Sequence, residues 1–188
     1  MYYSTVSSNY SVITRTNANR YLSKNTRIPD HVYGIATEAF QGKTMIHTVN
    51  FPNSLHRIGA RAFLGCDSLK EIALPDHIAQ IGPGAFSKCA SLQQANIPGS
   101  LTDLPQGLFQ ENRELHTVHF PEGMKRIGGQ ALYSCNFTFL KLPASLEVLE
   151  DSAFFKCTQL KYVRLPENVH YIGKWVFHGC NHTMLSKF

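Results

Sequence analysis

Residues 52–74 read PNSLHRIGARAFLGCDSLKEIAL, and this stretch decides the fold because close copies of it recur along the chain. Each copy opens with a proline, continues through an Ile-Gly pair, an Ala-Phe pair and a cysteine, and closes on leucine-x-x-valine-x-leucine. The opening prolines are Pro29, Pro52, Pro75, Pro98, Pro121, Pro143 and Pro166. A sequence period of this size is typical of a solenoid, so the repeat takes priority over any local pattern.

The seven units fill residues 29–188 and share columns of apolar residues. With each proline counted as place 0, place +6 is Ile or Leu in every unit, and place +11 is Phe in all but one. All 5 cysteines fall at place +14. A unit this short cannot bury its own apolar side, whereas stacked units bury one continuous core. The fifth unit is one residue short after Cys135, and we expect a local kink there.

The two parts of each unit predict different local structure. The closing pattern alternates like a strand, so successive units should add strands to a parallel sheet. The Gly-x-x-Ala-Phe-x-x-Cys segment has apolar residues three and four apart, which predicts a short helical or 3₁₀ turn on the opposite wall. The predicted class is therefore an α/β solenoid, with the sheet on its concave face and the turns on its convex face. Residues 29–188 form its single domain, and residues 1–28 a lead-in and degenerate cap.

These columns resemble the leucine-rich repeats of the BspA-like, or Treponema pallidum, type over residues 29–188. The residues that carry the resemblance include Ile58-Gly59, Ala62-Phe63, Cys66 and Leu69. The departures are Lys43 and Asn112 for cysteine, Pro105 and Glu150 for glycine, and Leu132 for phenylalanine. The resemblance implies a horseshoe used for protein recognition, often on a bacterial or protist surface in adhesion. It implies no catalytic residues.

Charge and composition limit the function classes. The net charge of +5 is concentrated in residues 1–28, which carry four basic and no acidic residues, while residues 29–188 carry only +1. A basic arm alone gives weak, salt-sensitive contacts, so nucleic acid is a disfavoured partner. The sequence has no apolar run long enough to cross a bilayer and no recognisable signal peptide, which predicts a soluble chain without a membrane span.

Cysteine and histidine offer the main alternatives to a binding protein. The cysteines are odd in number, lack C-x-x-C spacing and share one column, so small buried side chains explain them better than disulfides, zinc or a nucleophile. Among the 9 histidines, the closest groupings are His116 with His119, and His178 with Cys180 and His182. Neither grouping presents four convergent ligands. Catalytic and nucleotide-binding motifs are also missing, so we expect no enzyme activity, metal, cofactor or small-molecule substrate.

The outward places of the predicted strands, +19 and +21, differ between the two halves of the chain. With the residue missing from the fifth unit allowed for, place +19 is aromatic or aliphatic and place +21 is Lys or Arg in the last three units. Aromatic side chains beside cations are common in interface hot spots. The predicted partner-binding residues are His119, Phe139, Lys141, Tyr162, Arg164 and Lys187. We expect this concave patch to bind an acidic protein surface.

The leading hypothesis is a non-enzymatic protein-binding module, which the resemblance makes an adhesin-like surface protein that recognises host or matrix proteins. An intracellular interaction scaffold on the same fold is the alternative, favoured by the missing signal peptide and unpaired cysteines. The compartment stays open between these two. Apolar residues in the last unit, among them Met184, Leu185 and Phe188, also predict end-to-end self-association.

Overall fold

The computed structural model describes residues 11–181 and 184–186, and shows a solenoid of short parallel strands joined by turns, with almost no helix. Each coil of 22 or 23 residues contributes two strands, one on either side of the core. Strands on one side follow the closing pattern of each unit, and we call the surface they form the front face. Strands on the other side centre on the Ile of place +6 and form the rear face.

The front-face strands continue from one end of the described chain to the other. They are β2 (Asn25–Arg27), β4 (Thr48–Asn50), β6 (Glu71–Ala73), β8 (Gln94–Asn96), β10 (Thr117–His119), β12 (Phe139–Lys141), β14 (Tyr162–Arg164) and β16 (Met184–Ser186). In six of the seven of these strands whose central side chain is described, that side chain is buried between two outward neighbours, as the alternation predicts.

The rear-face strands are shorter, and the sequence did not predict them. They are β1 (Ser11–Ile13), β3 (Val32–Ile35), β5 (Arg57–Ile58), β7 (Gln80–Ile81), β9 (Asp103–Leu104), β11 (Arg126–Ile127), β13 (Val148–Leu149) and β15 (Tyr171–Ile172). Two-residue strands are too short to produce a visible alternation of apolar and polar residues. Their signal in the sequence was only the apolar pair at places +3 and +6.

Strand pairing is parallel throughout the described residues, but neither face is one uninterrupted sheet. The front face divides into β2–β4, β6–β8–β10 and β12–β14–β16, and the rear face divides between β7 and β9. The break between β10 and β12 coincides with the short fifth unit, where we expected a kink. A single backbone hydrogen bond, from the Asn136 N–H to the Leu115 carbonyl, spans the turn there at 2.9 Å.

The Gly-x-x-Ala-Phe-x-x-Cys segments are runs of turns, so the structure of residues 29–181 does not confirm the predicted helical or 3₁₀ turns. In every coil the residues at places +9 and +13 have φ between 52° and 75°, a left-handed conformation that breaks a helix. The amides at places +9, +11 and +13 donate to the next coil, whereas those at +10 and +12 donate mainly to the carbonyl three residues before them. For example, the Phe40 N–H donates to the Ala62 carbonyl at 2.7 Å.

The core is a set of side-chain columns that run along the solenoid axis. At place +11 the rings of Phe40, Phe63, Phe86 and Phe109 stack with centroids 5.0, 5.2 and 6.0 Å apart. Leu132 interrupts the column, which resumes with Phe154 and Phe177 at 5.5 Å. Stacked rings at these distances contribute about 0.5–1.5 kcal/mol per pair beyond their burial.

The glycine that follows the Ile of place +6 in four of the seven units lies where the coils pack closely. A Cβ atom on Gly59 or Gly82 would overlap backbone atoms of the preceding coil. At these positions glycine lets the backbone approach the preceding coil more closely than a residue with a Cβ atom would.

Residues 11–28 contribute β1, a short 3₁₀ helix (Ala18–Tyr21) and β2. β1 pairs with β3, and β2 pairs with β4. Ile13, Ala18 and Ile28 lie in the core. This segment, which we predicted as a degenerate cap, thus extends both faces by one strand.

Candidate protein-binding surface

The cysteine column is part of the core, and each thiol has a hydrogen-bond acceptor. In each case the Sγ atom approaches the carbonyl oxygen of the place +11 residue in the preceding coil, at 3.1–3.3 Å. Asn112 occupies the same column, where its Nδ2 donates to the Phe86 carbonyl at 2.9 Å and its Oδ1 accepts from the Cys89 N–H at 2.8 Å. The column therefore ties neighbouring coils together.

The environments of the thiols make most of them poor nucleophiles. Burial raises the pKa of Cys66 to about 12, and it also raises the pKa values of Cys89 and Cys135. A hydrogen bond between Cys157 and Cys180 raises the pKa of Cys157 and lowers that of the half-buried Cys180. The thiolate is the reactive form, so we expect Cys180 to be the most reactive of the five.

The histidine groupings do not form a ligand cluster. Among residues 11–181 and 184–186, no group of three His, Cys, Asp or Glu side chains is placed to hold a metal ion. The His116 imidazole Nδ1 lies 3.0 Å from the Thr117 hydroxyl, and His119 lies at the end of β10 beside Asn96. His182, the last member of the second grouping, lies outside the described residues.

Four of the predicted partner-binding residues come together on the front face. β12 and β14 pair in register, so Phe139 lies beside Tyr162 and Lys141 beside Arg164. All four side chains are exposed, Phe139 to 69% and Tyr162 to 38%. These residues alternate with the buried Leu140 and Val163, a pattern set by the strand period of two.

These four residues line a groove of about 660 Å³. Its other lining residues are Glu122, Leu140, Leu142, Ala144, Pro166, Glu167 and Asn168. A volume of this size can accommodate several side chains of a partner. The sequence did not predict the carboxylates of Glu122 and Glu167, although both follow an opening proline at place +1.

The remaining two predicted residues, His119 and Lys187, are placed differently. His119 lies on the far side of the break between β10 and β12, in a shallow depression with Glu71 and Gln94. Lys187 lies outside the described residues. Register in the last coil pairs Arg164 with Ser186 and Tyr162 with Met184, one residue earlier than the sequence count placed them.

This shift in register changes the composition of both outward columns. Ser186 takes the place next to Arg164 where we expected Lys187, and its Oγ lies 2.8 Å from the Tyr162 hydroxyl. Met184, exposed to 72%, extends the apolar column instead of Leu185. The groove region therefore has an apolar row of Phe139, Tyr162 and Met184 beside a cationic row of Lys141 and Arg164.

The charge of Lys141 is available to a partner. No acidic side chain among the described residues lies within salt-bridge distance of it. On the rear face, by contrast, Arg126 bridges Asp103 at 3.0 Å and Glu150 at 2.7 Å. An exposed cation beside aromatic side chains is a typical component of an interface hot spot.

Two series of strands enclose a continuous core, and the outward positions of the front face vary from unit to unit. These features define a leucine-rich-repeat protein. Members of this class are generally protein-interaction modules. More narrowly, the chain belongs to the BspA-type leucine-rich repeat family, whose sequence profile matches residues 18–137 and 125–187 in 6 copies. The resemblance inferred from the repeat is thereby confirmed. No curated protein is similar to the chain.

Solved structures of bacterial proteins share the fold. The T. pallidum leucine-rich repeat protein is 34% identical with a TM-score of 0.79, over 86% of this chain and 78% of that one. A leucine-rich repeat protein from Eubacterium ventriosum is 21% identical with a TM-score of 0.80, over 89% of this chain and 45% of that one.

A leucine-rich cell surface protein from Faecalibacterium prausnitzii is 28% identical with a TM-score of 0.63, over 94% of this chain and 42% of that one. The chain therefore spans less than half the length of this protein and of the E. ventriosum one. Within the part of the chain that the structure describes, no helix is long and apolar enough to cross a membrane.

Proposed function

We propose that this chain is a non-enzymatic protein-binding module and that the partner docks on the C-terminal part of its front face. The observation that carries the proposal is the groove in which Phe139 and Tyr162 lie beside Lys141 and Arg164. Aromatic and arginine side chains dominate the binding energy of many protein interfaces.

Exposure supports a binding role for these residues over a structural one. The fold requires only that the central residue of each front strand fit into the interior, because the outward residues on either side of it face solvent. Phe139 and Met184 are largely exposed, so burial within the chain gains little from either of them. A partner that covered the row would bury both.

Charge supports a partner that carries carboxylates opposite Lys141 and Arg164. The groove is not uniformly basic, because Glu122 and Glu167 line it as well. We therefore expect a partner whose carboxylates lie opposite Lys141 and Arg164 only, and not opposite Glu122 and Glu167.

The proposal also covers the curvature of the solenoid and the cellular compartment of the protein. We take the front face to be the concave side of a horseshoe and the chain to be part of an adhesin-like surface protein. The description of the F. prausnitzii relative as a cell surface protein favours this view. An intracellular scaffold is the alternative, favoured by five cysteines without a disulfide.

A pull-down with a charge-reversed double variant tests the proposal. Lys141→Glu with Arg164→Glu should lose a protein that the wild type retains from host-matrix or cell-lysate fractions. Lys70→Glu with Arg113→Glu, which makes the same charge change at two exposed sites outside the groove, should retain it. Retention by all three proteins would refute the site, and the compartment of the retained protein decides between adhesin and scaffold.

End-to-end association remains a second proposal, and one observation favours it. Ile172 is 42% exposed in the last coil, whereas its counterparts in the preceding coils are buried, and Trp175 nearby is 65% exposed. A second copy that covered these side chains would complete the core. Sedimentation equilibrium of the wild type and of Ile172→Lys with Trp175→Lys measures this, and a monomeric wild type at high concentration would refute it.

A further inference from the structure

The groove presents its chemistry as parallel rows that run along the solenoid axis. The apolar row (Phe139, Tyr162 and Met184) and the cationic row (Lys141 and Arg164) occupy outward positions two residues apart on the same strands. Two residues of strand separate the rows by roughly 6.6–6.8 Å. Within a row, members on neighbouring strands are about 4.8 Å apart.

These spacings discriminate between the secondary structures that a partner could present. Along an extended strand, side chains on one side repeat every 6.6–6.8 Å or so, about 2 Å more than the spacing within a row. Along one face of an α-helix, side chains repeat about every 5.4 Å. This repeat is close enough to the separation of about 4.8 Å between strands for the two to stay matched over three strands. Helix residues three or four apart have Cβ atoms about 5–6 Å apart, so one helix can place side chains against both rows of the groove.

We propose that the partner docks as an amphipathic α-helix laid along the solenoid axis across β12, β14 and β16. One edge of the helix places apolar side chains against Phe139, Tyr162 and Met184. The adjacent edge places carboxylates against Lys141 and Arg164. This inference rests on the proposed function and adds to it the conformation and side-chain pattern of the partner.

Two carboxylates in the groove limit how charge can be distributed around the helix. Glu122 and Glu167 also line the groove, at place +1, which follows the cationic positions along the chain and is farther from the apolar ones. A helix that is acidic on every polar side would bring carboxylates against these two. The favoured helix therefore carries its carboxylates only next to its apolar edge, with neutral or basic residues beyond them.

Synthetic helices provide the probe. The first is a stapled peptide of about 18 residues with a row of leucines, a neighbouring row of glutamates and lysines beyond, long enough to hold helical structure. The second has the same composition, with the glutamates on the face opposite the leucines. The third is the first with two central prolines, which abolish the helix. Fluorescence anisotropy with the full chain measures the dissociation constant of each.

We expect the first peptide to bind at least tenfold more tightly than the second or the third. Lys141→Glu should weaken the first peptide at least tenfold and should favour a version in which its glutamate row is replaced by lysines. Lys70→Glu, the same change at an exposed site on an N-terminal coil, should leave the dissociation constant unchanged. Circular dichroism melts confirm that each variant is folded.

Two results would overturn the inference without touching the proposed function. Equal binding of the helical and the proline-interrupted peptides would show that the groove does not select a helix. Lack of binding of every peptide at 1 mM or so would do the same, provided that the pull-down still shows a partner lost on reversal of Lys141 and Arg164. Loss of that pull-down result refutes the proposed function itself.

Discussion

The two halves of the front face share one backbone plan and differ in what they show to solvent. In the N-terminal half, outward side chains are mostly small or uncharged and bond to one another. The Thr48 hydroxyl donates to Asn25 at 3.1 Å, and Gln94 donates to Glu71 at 2.9 Å. In the C-terminal half, the outward positions hold Phe139, Tyr162, Met184 and two cations. The fold accepts both sets, so it does not dictate the difference.

The interior shows the opposite behaviour, because its columns run through both halves with little change. Phenylalanine stacks form at place +11 before and after Leu132, and thiol-to-carbonyl contacts recur from Cys66 to Cys180. Stability should therefore depend on the interior in the same way in either half. Binding should depend on the front face of the C-terminal half alone.

Truncation of core rings is the largest expected effect and tests whether the two interiors are equivalent. Phe63→Ala and Phe154→Ala should each lower the free energy of unfolding by about 3–5 kcal/mol. Phe63 stacks on Phe40 and Phe86 and meets Phe51 edge to face, whereas Phe154 has one ring partner among the described residues, Phe177. The first variant should therefore lose two ring pairs more, about 1–3 kcal/mol. Urea titrations measure both. A larger loss for Phe154→Ala would contradict the stacking argument.

Asn112 is the one position of the cysteine column where an amide replaces the thiol within the solenoid interior. Asn112→Ala leaves the Cys89 N–H and the Phe86 carbonyl without their partner, and should lower the free energy of unfolding by about 1–3 kcal/mol. Asn112→Cys restores one contact and should lose less. Denaturant unfolding of the two variants side by side measures this, and equal losses would show that the column does not depend on its hydrogen bonds.

Front-face truncations separate binding from stability. Phe139→Ser should weaken binding of the retained partner by about 2 kcal/mol, roughly 30-fold. It should change the free energy of unfolding by no more than about 0.5 kcal/mol, because the ring is largely exposed. Gln94→Ala is the matched control on the N-terminal half and should alter neither quantity. A comparable loss of binding for Gln94→Ala would extend the binding surface across both halves.

Thiol reactivity gives the smallest effect and distinguishes the last coil from the rest. At pH 8, Ellman's reagent should modify Cys180 first, because its pKa is lowered by the hydrogen bond from Cys157 and it is only half-buried. Cys180→Ser should remove this rapid phase. Rapid modification of all five thiols in the folded protein would show that the column is open.

The pH dependence of stability follows from the same column. The protonated Cys66 thiol is favoured in the folded state, where its pKa rises from 9.0 to about 12. Its contribution to stability is complete below pH 9 or so and is lost as the pH rises toward 12. The melting temperature should therefore fall over this interval, and Cys66→Ala should reduce the dependence.

Much of the fold was predictable from the repeat. The columns of Ile, Phe and Cys identified the core residues, and the closing pattern identified the front strands. The turn wall was not predictable by periodicity, because a spacing of three and four between apolar residues suits a helix as well as a run of turns. The left-handed residues were the missed signal. Glycines at place +9 or +13, such as Gly42, Gly65 and Gly84, are suited to that conformation.

The candidate site was predictable only as far as the strand register was. Phe139 and Lys141 lie in the short fifth unit and Tyr162 and Arg164 in the full-length sixth, and counting from the proline, with the missing residue allowed for, placed them together. The count failed in the last coil, where the observed register places Met184 and Ser186 one residue ahead of the expected Leu185 and Lys187. It also placed His119 with the patch, because a break between sheets leaves no mark on a sequence count.

The left-handed pair at places +9 and +13 makes each coil a self-contained module for duplication. Every coil closes its own turn with the same two backbone conformations and contacts only its neighbours. Insertion or excision of one unit between equivalent turns would keep the remaining coils in register. The number of coils and the residues on the front face can thus change independently of each other, while the columns of the interior stay the same.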